Sequence, residues 1–349
     1  MKNPDKAKNM LYPLLSVALI FVILIGMKSA AYFINIMLIS LILTLLGIPI
    51  MNRLKRAGMS DVLSVTLIIL LYIVCIFGFI FLIYESIDVF ISRLPEYESL
   101  LNERLSQLMD LLGGLGITVD MIESFVKPDW EAISKILVSV VAGGSMLAMN
   151  LFFILVITCF ALLEVPRVPA RLKSVYGENS GKVESVRTII SNIIKWLVVK
   201  TKTNVVLGVS FGGLLYALGI DMAIFWGLMA VILSYIPYIG LIIVSIPAIF
   251  LAWLQLGLWG VVVVVAGICV INAVVENFVF SKFAADSFQI PPLIVIVTLI
   301  LWSWVLGPVG LFLSVPFTVI LIALLQGSED TKWITTLLGF DDPVPESED

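Results

Sequence analysis

Between Met222 and Trp253 the chain runs without one charged side chain, yet Ser234-Tyr235-Ile236-Pro237-Tyr238-Ile239-Gly240 stands near the middle of that run. A stretch this apolar belongs in hydrocarbon, where every peptide N–H and C=O needs a partner inside the protein. A helix supplies those partners and a proline interrupts them. Pro237 has no N–H and its ring collides with the preceding turn, while Gly240 permits dihedrals that other residues avoid. The spacing predicts a helix broken at membrane depth. Freed backbone groups persist there only where protein buries them or a polar cavity bathes them, so Ser234, Tyr235, Pro237, Tyr238 and Gly240 are candidates for a hinge or transport path. A tight turn between two packed hairpin arms is the other reading of the same residues.

The rest of the chain fits that setting. Hydrophobic residues make up 60% and charged ones 13%, and the mean hydropathy is +1.12, which takes the chain outside the soluble globular class. The expected fold is an all-α polytopic membrane protein with about eight membrane-embedded helices, broken or re-entrant hairpins among them. Histidine is absent, so no Ser-His-Asp triad, HExxH zinc site or histidine proton relay can form. The segment Gly177 to Val183, GENSGKV, has three residues between its glycines and a valine where a phosphate loop needs Ser or Thr. Cys75, Cys159 and Cys269 lie in apolar runs without a CxxC pair, so neither disulfide nor metal site is expected. No cofactor and no nucleic acid partner is expected, and the net charge of -4 names no partner.

Taken in order, residues 1–84 read as N-terminal transmembrane helices. Lys2, Lys6 and Lys8, then Arg53, Lys55 and Arg56, place the N-terminus and the second loop in the cytoplasm by the positive-inside rule. Residues 85–131 carry ten acidic side chains against three basic ones and belong outside. Leu94, Tyr97, Leu101, Leu105, Leu108 and Leu112 give that segment an amphipathic helix, ended by Gly113, Gly114 and Gly116. Residues 132–166 form a long transmembrane helix. Residues 167–202 read as a basic cytoplasmic interfacial helix, with Val183, Val186, Ile189, Ile193 and Leu197 on one stripe.

Residues 203–257 read as a span plus a broken pair divided at PYIG, and residues 258–327 as a second span plus a pair divided by Gly307 and Pro308. Gly310 and Pro316 also interrupt that last run. The order suggests an inverted-topology repeat with a midplane site, without residue-level identity between the halves. Residues 328–349 form an acidic tail, placed in the cytoplasm.

Among polar groups in apolar runs, Glu276 is the leading candidate. Asn272 lies one helical turn before it, and with Asn277 the group could coordinate a cation, hydrogen-bond a polyol or carry a coupling proton; a salt bridge to Lys282 is the structural alternative. Thr201, Thr203 and Asn204 make a second polar cluster, with Thr201 read as a cap. Gly208 and Gly212 form a small-xxx-small pair suited to close helix packing. Trp226, Trp302 and Trp304 read as interfacial anchors.

FWGLMAVILSYIPYIG at Phe225 to Gly240, LLEVP at Leu162 to Pro166, VVEN at Val274 to Asn277 and WSWVLGPVGLFLSVPFTVI at Trp302 to Ile320 occur in one order along the chain. In this ordered set the chain resembles the bacterial autoinducer-2 exporter family. The resemblance implies a transport protein of the bacterial inner membrane, in keeping with the multi-pass reading and the cytoplasmic termini expected from the charge pattern. It implies export of a small sugar-derived quorum-sensing signal or sodium (lithium)/proton exchange, and homo-oligomers expected as pentamers. The expected partners are thus a small-molecule substrate, the lipid bilayer and further copies of the chain. A secondary transporter or facilitator leads this reading; a non-transporting membrane scaffold is the rival from another class, and no catalytic residues are assigned.

Overall fold

A computed structural model of the chain describes residues 4–112, 144–177, 181–237, 239–280 and 291–326, with Ala132, Lys135 and Ser139 between the first two stretches. Among these residues every regular element is helical. The helices are α1 Pro4–Ser29, α2 Ala31–Arg56, α3 Asp61–Ser92, α4 Leu94–Leu112, α5 Gly144–Glu164, α6 Val168–Tyr176, α7 Gly181–Ala217, α8 Ala223–Leu233, α9 Gly240–Val274, α10 Pro292–Leu306 and α11 Pro308–Gln326. A 3-10 turn, Val165–Arg167, leads into α6, and a π-helical turn, Val275–Phe280, follows α9. Tyr238, Lys282, the Gly113 to Gly116 stop and the 328–349 tail lie outside the described residues.

Four segments are long and apolar enough to cross a membrane: Ala31–Arg56, Asp61–Ser92, Leu147–Tyr176 and Gly240–Asn277. Shorter apolar helices cover Ala18–Ser29, Ala223–Leu233, Leu293–Leu306 and Pro308–Ile322. Large apolar side chains stand outward on them, including Phe33, Phe77 and Trp259, the last 72% exposed. Helices of this length that expose such side chains face lipid, and the protein is an all-α, multi-pass membrane protein.

The chain divides into two compact units. The first holds residues 1–53, 153–195 and 286–349; the second holds residues 54–152 and 196–285. In the first unit α10 folds back on α11 at Gly307, whose φ of 66° and ψ of -145° suit only glycine. Thr318 Oγ1 donates to Thr298 Oγ1 across this hairpin at 2.8 Å. Helices α2 and α5 are tied through Ser40 Oγ to the Ile154 carbonyl at 3.1 Å, and Lys28 lies 4.4 Å over the Trp304 ring.

The second unit has the larger apolar core. Tyr97, Leu101 and Leu105 of α4 are buried against Leu207, Phe211 and Leu215 of α7, Ala230 of α8 and Val244, Ala248 and Leu251 of α9. The leucine stripe on α4 therefore packs on other helices of its own unit. Within α9 the chain reverses at Gly257, with φ 70° and ψ -158°, so Gly240–Asn277 is two short arms rather than one straight span.

One expected boundary falls inside an element. Lys202 and Thr203 lie within the single 37-residue helix α7, because no proline or glycine stands between Lys182 and Leu207 to end it. Thr201 is consequently not a cap: its hydroxyl bonds back to the Leu197 carbonyl at 2.6 Å in mid-helix.

Candidate functional site: the helix break at Ser234 to Gly240

Helix α8 stops at Leu233 because the backbone tightens as it approaches Pro237. Tyr235 N–H reaches Ile232 O at 3.2 Å and Ile236 N–H reaches Leu233 O at 2.9 Å, each three residues back instead of four. In a continued helix Tyr235 N–H would have met Val231 O. Asn204 of α7 takes its place, donating from Nδ2 to Val231 O at 3.1 Å. The chain then recovers a helical bond at Gly240, whose N–H meets Ile236 O at 3.1 Å.

Gly240 departs from its expected role. It is not among the glycines with positive φ. What it supplies is space, since a Cβ there would collide with the Leu233 carbonyl and come within 3.0 Å of Ser234 Cα. The break is thus a close backbone crossing, and Ser234 and Gly240 are buried within it while Tyr235 and Pro237 are half-buried.

Helices α7 and α8 run back along each other from this point. Thr201 and Tyr235 hydroxyls are 2.5 Å apart, then comes the Asn204 bond to Val231, and then glycines. A Cβ on Gly212 would stand 3.1 Å from Ala223 O and from Gly227 Cα, and one on Gly208 would overlap Val231 and the Gly227 carbonyl. Gly227, on α8, completes this contact. Sequence reading named Gly208 and Gly212 and missed it, because nothing local distinguishes Gly227 from a neutral helix glycine. The same face opens outward as an apolar furrow of ≈ 440 Å³ lined by Gly208, Gly212, Gly213, Tyr216, Ile224 and Leu228, among others.

Beside the break sit buried polar atoms. Thr203 and Asn204 are 0% exposed and Ser234 is 7% exposed. Thr203 Oγ1, Asn204 Oδ1 and Ser234 Oγ have no hydrogen-bond partner within the protein.

Glu276 lies in the π-helical turn after α9, where its carboxylate meets Lys200 Nζ of α7 at 3.4 Å. The Glu276 side chain is 41% exposed and that of Lys200 12%. Asn277 Nδ2 is committed to the Ala273 carbonyl at 2.8 Å. Asn272 is exposed, and no hydrogen bond joins it to Glu276. The expected Asn272, Glu276 and Asn277 group is therefore dispersed, and the partner of Glu276 is a lysine that no sequence spacing could indicate.

In the first unit, Gly307 forms the reversal, Pro308 starts α11, and Gly310 packs so that a Cβ would strike the Trp302 carbonyl. Asn35 of α2 donates from Nδ2 to Leu306 O at 3.0 Å, again at a helix end, and its Oδ1 has no hydrogen-bond partner within the protein. Pro316 is buried inside α11.

A second polar centre, absent from the sequence reading, joins three elements of the second unit. Asp221, in the turn between α7 and α8, accepts from Arg93 Nη1 at 2.8 Å, from Tyr97 Oη at 2.8 Å and from Gln255 Nε2 at 2.5 Å. Its own N–H donates to Gln255 Oε1 at 3.2 Å. Arg104 Nε holds the Leu254 carbonyl at 3.1 Å, just before the Gly257 reversal. Burial, then the bond to Asp221 and its charge, push the Tyr97 phenol well above its ordinary value, so it remains a donor.

The family described as AI-2E family transporter matches residues 14–329. The chain belongs to that family. It is 27% identical over 340 residues to the AI-2 transport protein TqsA of Escherichia coli, covering 97% of this chain and 98% of that one. It is 29% identical over 337 residues to a putative transport protein of Haemophilus influenzae, covering 95% and 97% of the two chains. A further relative, the putative transport protein YhhT of Escherichia coli, is 24% identical over 339 residues.

For an AI-2E family transporter the arrangement around the break has a plain chemical content. Two hydroxyls and an amide carbonyl are held in protein next to a carbonyl that a side chain, not the helix, has satisfied. Such a cluster binds by hydrogen bonds and contributes no net charge.

Proposed function

We propose that this protein is a secondary transporter or facilitator that exports a small polar signal of the autoinducer-2 kind across the bacterial inner membrane. The break at Ser234 to Gly240, with unpartnered polar oxygens buried beside it, carries this reading, because polar groups at that depth are kept where a solute passes. The full-length likeness to a protein named for AI-2 transport supports the choice of solute. On this reading the transporter performs no catalytic step. Both termini face the cytoplasm, in keeping with the basic clusters at Arg53 to Arg56 and Arg167 to Lys202. Copies of the chain assemble as a homo-oligomer, with five subunits expected.

Coupling falls to Glu276, whose carboxylate reaches Lys200 of α7. Its pairing with Lys200 gives a proton or cation a site at which to exchange the partner. The test is flux of autoinducer-2 into proteoliposomes with and without an imposed proton gradient, with sodium/proton exchange measured in parallel. Gradient-driven flux that stops responding in Glu276→Gln, at unchanged expression, is the expected result. Flux indifferent to the gradient leaves a passive facilitator, and cation exchange without autoinducer-2 movement overturns the export reading. Mass measurement of the protein in native nanodiscs counts the subunits.

A further inference from the structure

We propose that Asn204 and Ser234, with Thr203 beside them, form a binding subsite for a neutral solute rich in hydroxyl groups, and that this subsite distinguishes such solutes from cations. The proposal rests on the reading of the chain as an exporter of a small polar solute and names the groups that hold it.

Half of the Asn204 amide is already committed. Nδ2 donates to Val231 O, and the orientation is fixed chemically, since a backbone carbonyl only accepts and the flipped amide would set two acceptors 3.1 Å apart. Oδ1 is therefore an acceptor, buried and without a donor. A buried acceptor left so is destabilising, and its retention calls for a donor that arrives from elsewhere.

Most other buried hydroxyls among the described residues, Ser64 excepted, bond a carbonyl of the preceding turn. Thr201, Ser245 and Thr318 each turn back on the carbonyl four residues earlier, all at 2.6 Å. Thr203 and Ser234 make no such bond. Ser234 lies one helical turn beyond Val231, the residue that Asn204 holds, and its neighbour Tyr235 bonds Thr201 on the same helix as Asn204. Asn204 and Ser234 therefore both lie where α7 meets the end of α8, and Thr203 is the neighbour of Asn204 along α7.

Their chemistry selects the ligand. An alcohol donates to Asn204 Oδ1 while its oxygen accepts from Ser234 or Thr203, satisfying both needs with one group. A cation would bring charge without compensation. Among the described residues no carboxylate is buried, and Glu276 is 41% exposed and paired with Lys200. Two or three neutral oxygens replace only part of a cation's hydration shell, so a cation there is disfavoured.

The test uses the full-length protein in lipid nanodiscs and follows its unfolding temperature against ribitol, autoinducer-2 and sodium chloride. Ser234→Ala and Thr203→Val each remove one hydroxyl; Asn204→Leu removes the acceptor. A saturable upward shift with ribitol or autoinducer-2 is expected, with half-saturation moved about tenfold higher in each hydroxyl variant, as for the loss of one hydrogen bond. Sodium is expected to give no saturable shift that the hydroxyl variants abolish. Should Asn204→Leu fail to fold because Val231 O loses its donor, the hydroxyl variants carry the decision.

No saturable shift with either solute in the unsubstituted protein, unchanged half-saturation in both hydroxyl variants, or a sodium shift lost in those variants overturns the subsite. Binding as expected with no autoinducer-2 flux in liposomes leaves the subsite standing and removes the export reading. Flux that both hydroxyl variants leave intact does the reverse.

Discussion

At 3.1 Å from Val231 O, the Asn204 amide does what the next turn of α8 would have done had Pro237 not prevented it. That exchange of a backbone donor for a side-chain donor was half legible. Pro237 announces a break from composition alone, since any proline in a helical run removes a donor. Asn204 does not announce itself as the replacement, because its partner is 27 residues away and only the fold joins them. Glycines divide in the same manner. Gly208 and Gly212 advertise a close contact by spacing, whereas Gly227 shows only in the fold, where a Cβ would stand 2.7 Å from Gly208 O and 2.9 Å from Gly212 Cα. Gly227→Ala is expected to lower stability by about 1–3 kcal/mol, the range for overpacking. Gly213→Ala, whose Cβ meets nothing within 4 Å, should stay within about 0.5 kcal/mol; thermal unfolding of both in one detergent checks the contrast. For Tyr97 the folded-state value is raised above that of the unfolded chain. The tyrosine therefore contributes its stability fully below the ordinary phenol value near 10 and loses it as pH rises through the folded value. Tyr97→Phe should flatten that alkaline decline, which pH-dependent unfolding would read directly.

Among the elements, the reversals at Gly257 and Gly307 share one construction. Gly257 and Gly307 adopt φ of 70° and 66°, Leu256 and Leu306 precede them, and Gly260 and Gly310 follow three residues later against the carbonyls of Ala252 and Trp302. The sequence reading paired the Gly307 turn with PYIG and found no residue-level likeness between the halves. The geometry pairs LGPVG with LGLWG instead, because the PYIG turn has no positive φ among its described residues. The sequence reading divided the chain after residue 257 without singling out Gly257, which has no proline beside it. Gly257→Ala and Gly307→Ala are each expected to lose about 1–3 kcal/mol, as L side chains rarely occupy that region. The Asp221 centre of the second unit illustrates another limit of sequence. Arg93 and Asp221 are 128 positions apart, and only the buried stripe of α4, readable from its three- and four-residue steps, brings them together. A double-mutant cycle of Arg93→Ala with Asp221→Asn should give a coupling of about 0.5–3 kcal/mol, and a value near zero would show that Gln255 and Tyr97 hold Asp221 alone.

Across the whole molecule, apolar composition forecast the class of protein and the large outward-facing side chains agree with it. Phe33, Phe77, Val209 and Trp259 stand mostly exposed. Cys75 and Cys269 share that exposure. Both thiols should resist a charged maleimide while the protein is in a bilayer, because a charged reagent does not enter hydrocarbon. Mass spectrometry after labelling in bilayers and again after denaturation would read this, and rapid labelling in bilayers would place either cysteine in water. One further consequence follows from the glycine crossings. At Gly240, Gly260 and Gly310, backbone lies directly on backbone, leaving no layer of side chains in which the two arms could slide. Each pair is then expected to move as a single strut. Spectroscopic labels attached to both arms of one strut would report an unchanging distance through a transport cycle, and only labels placed on different struts could follow the motion.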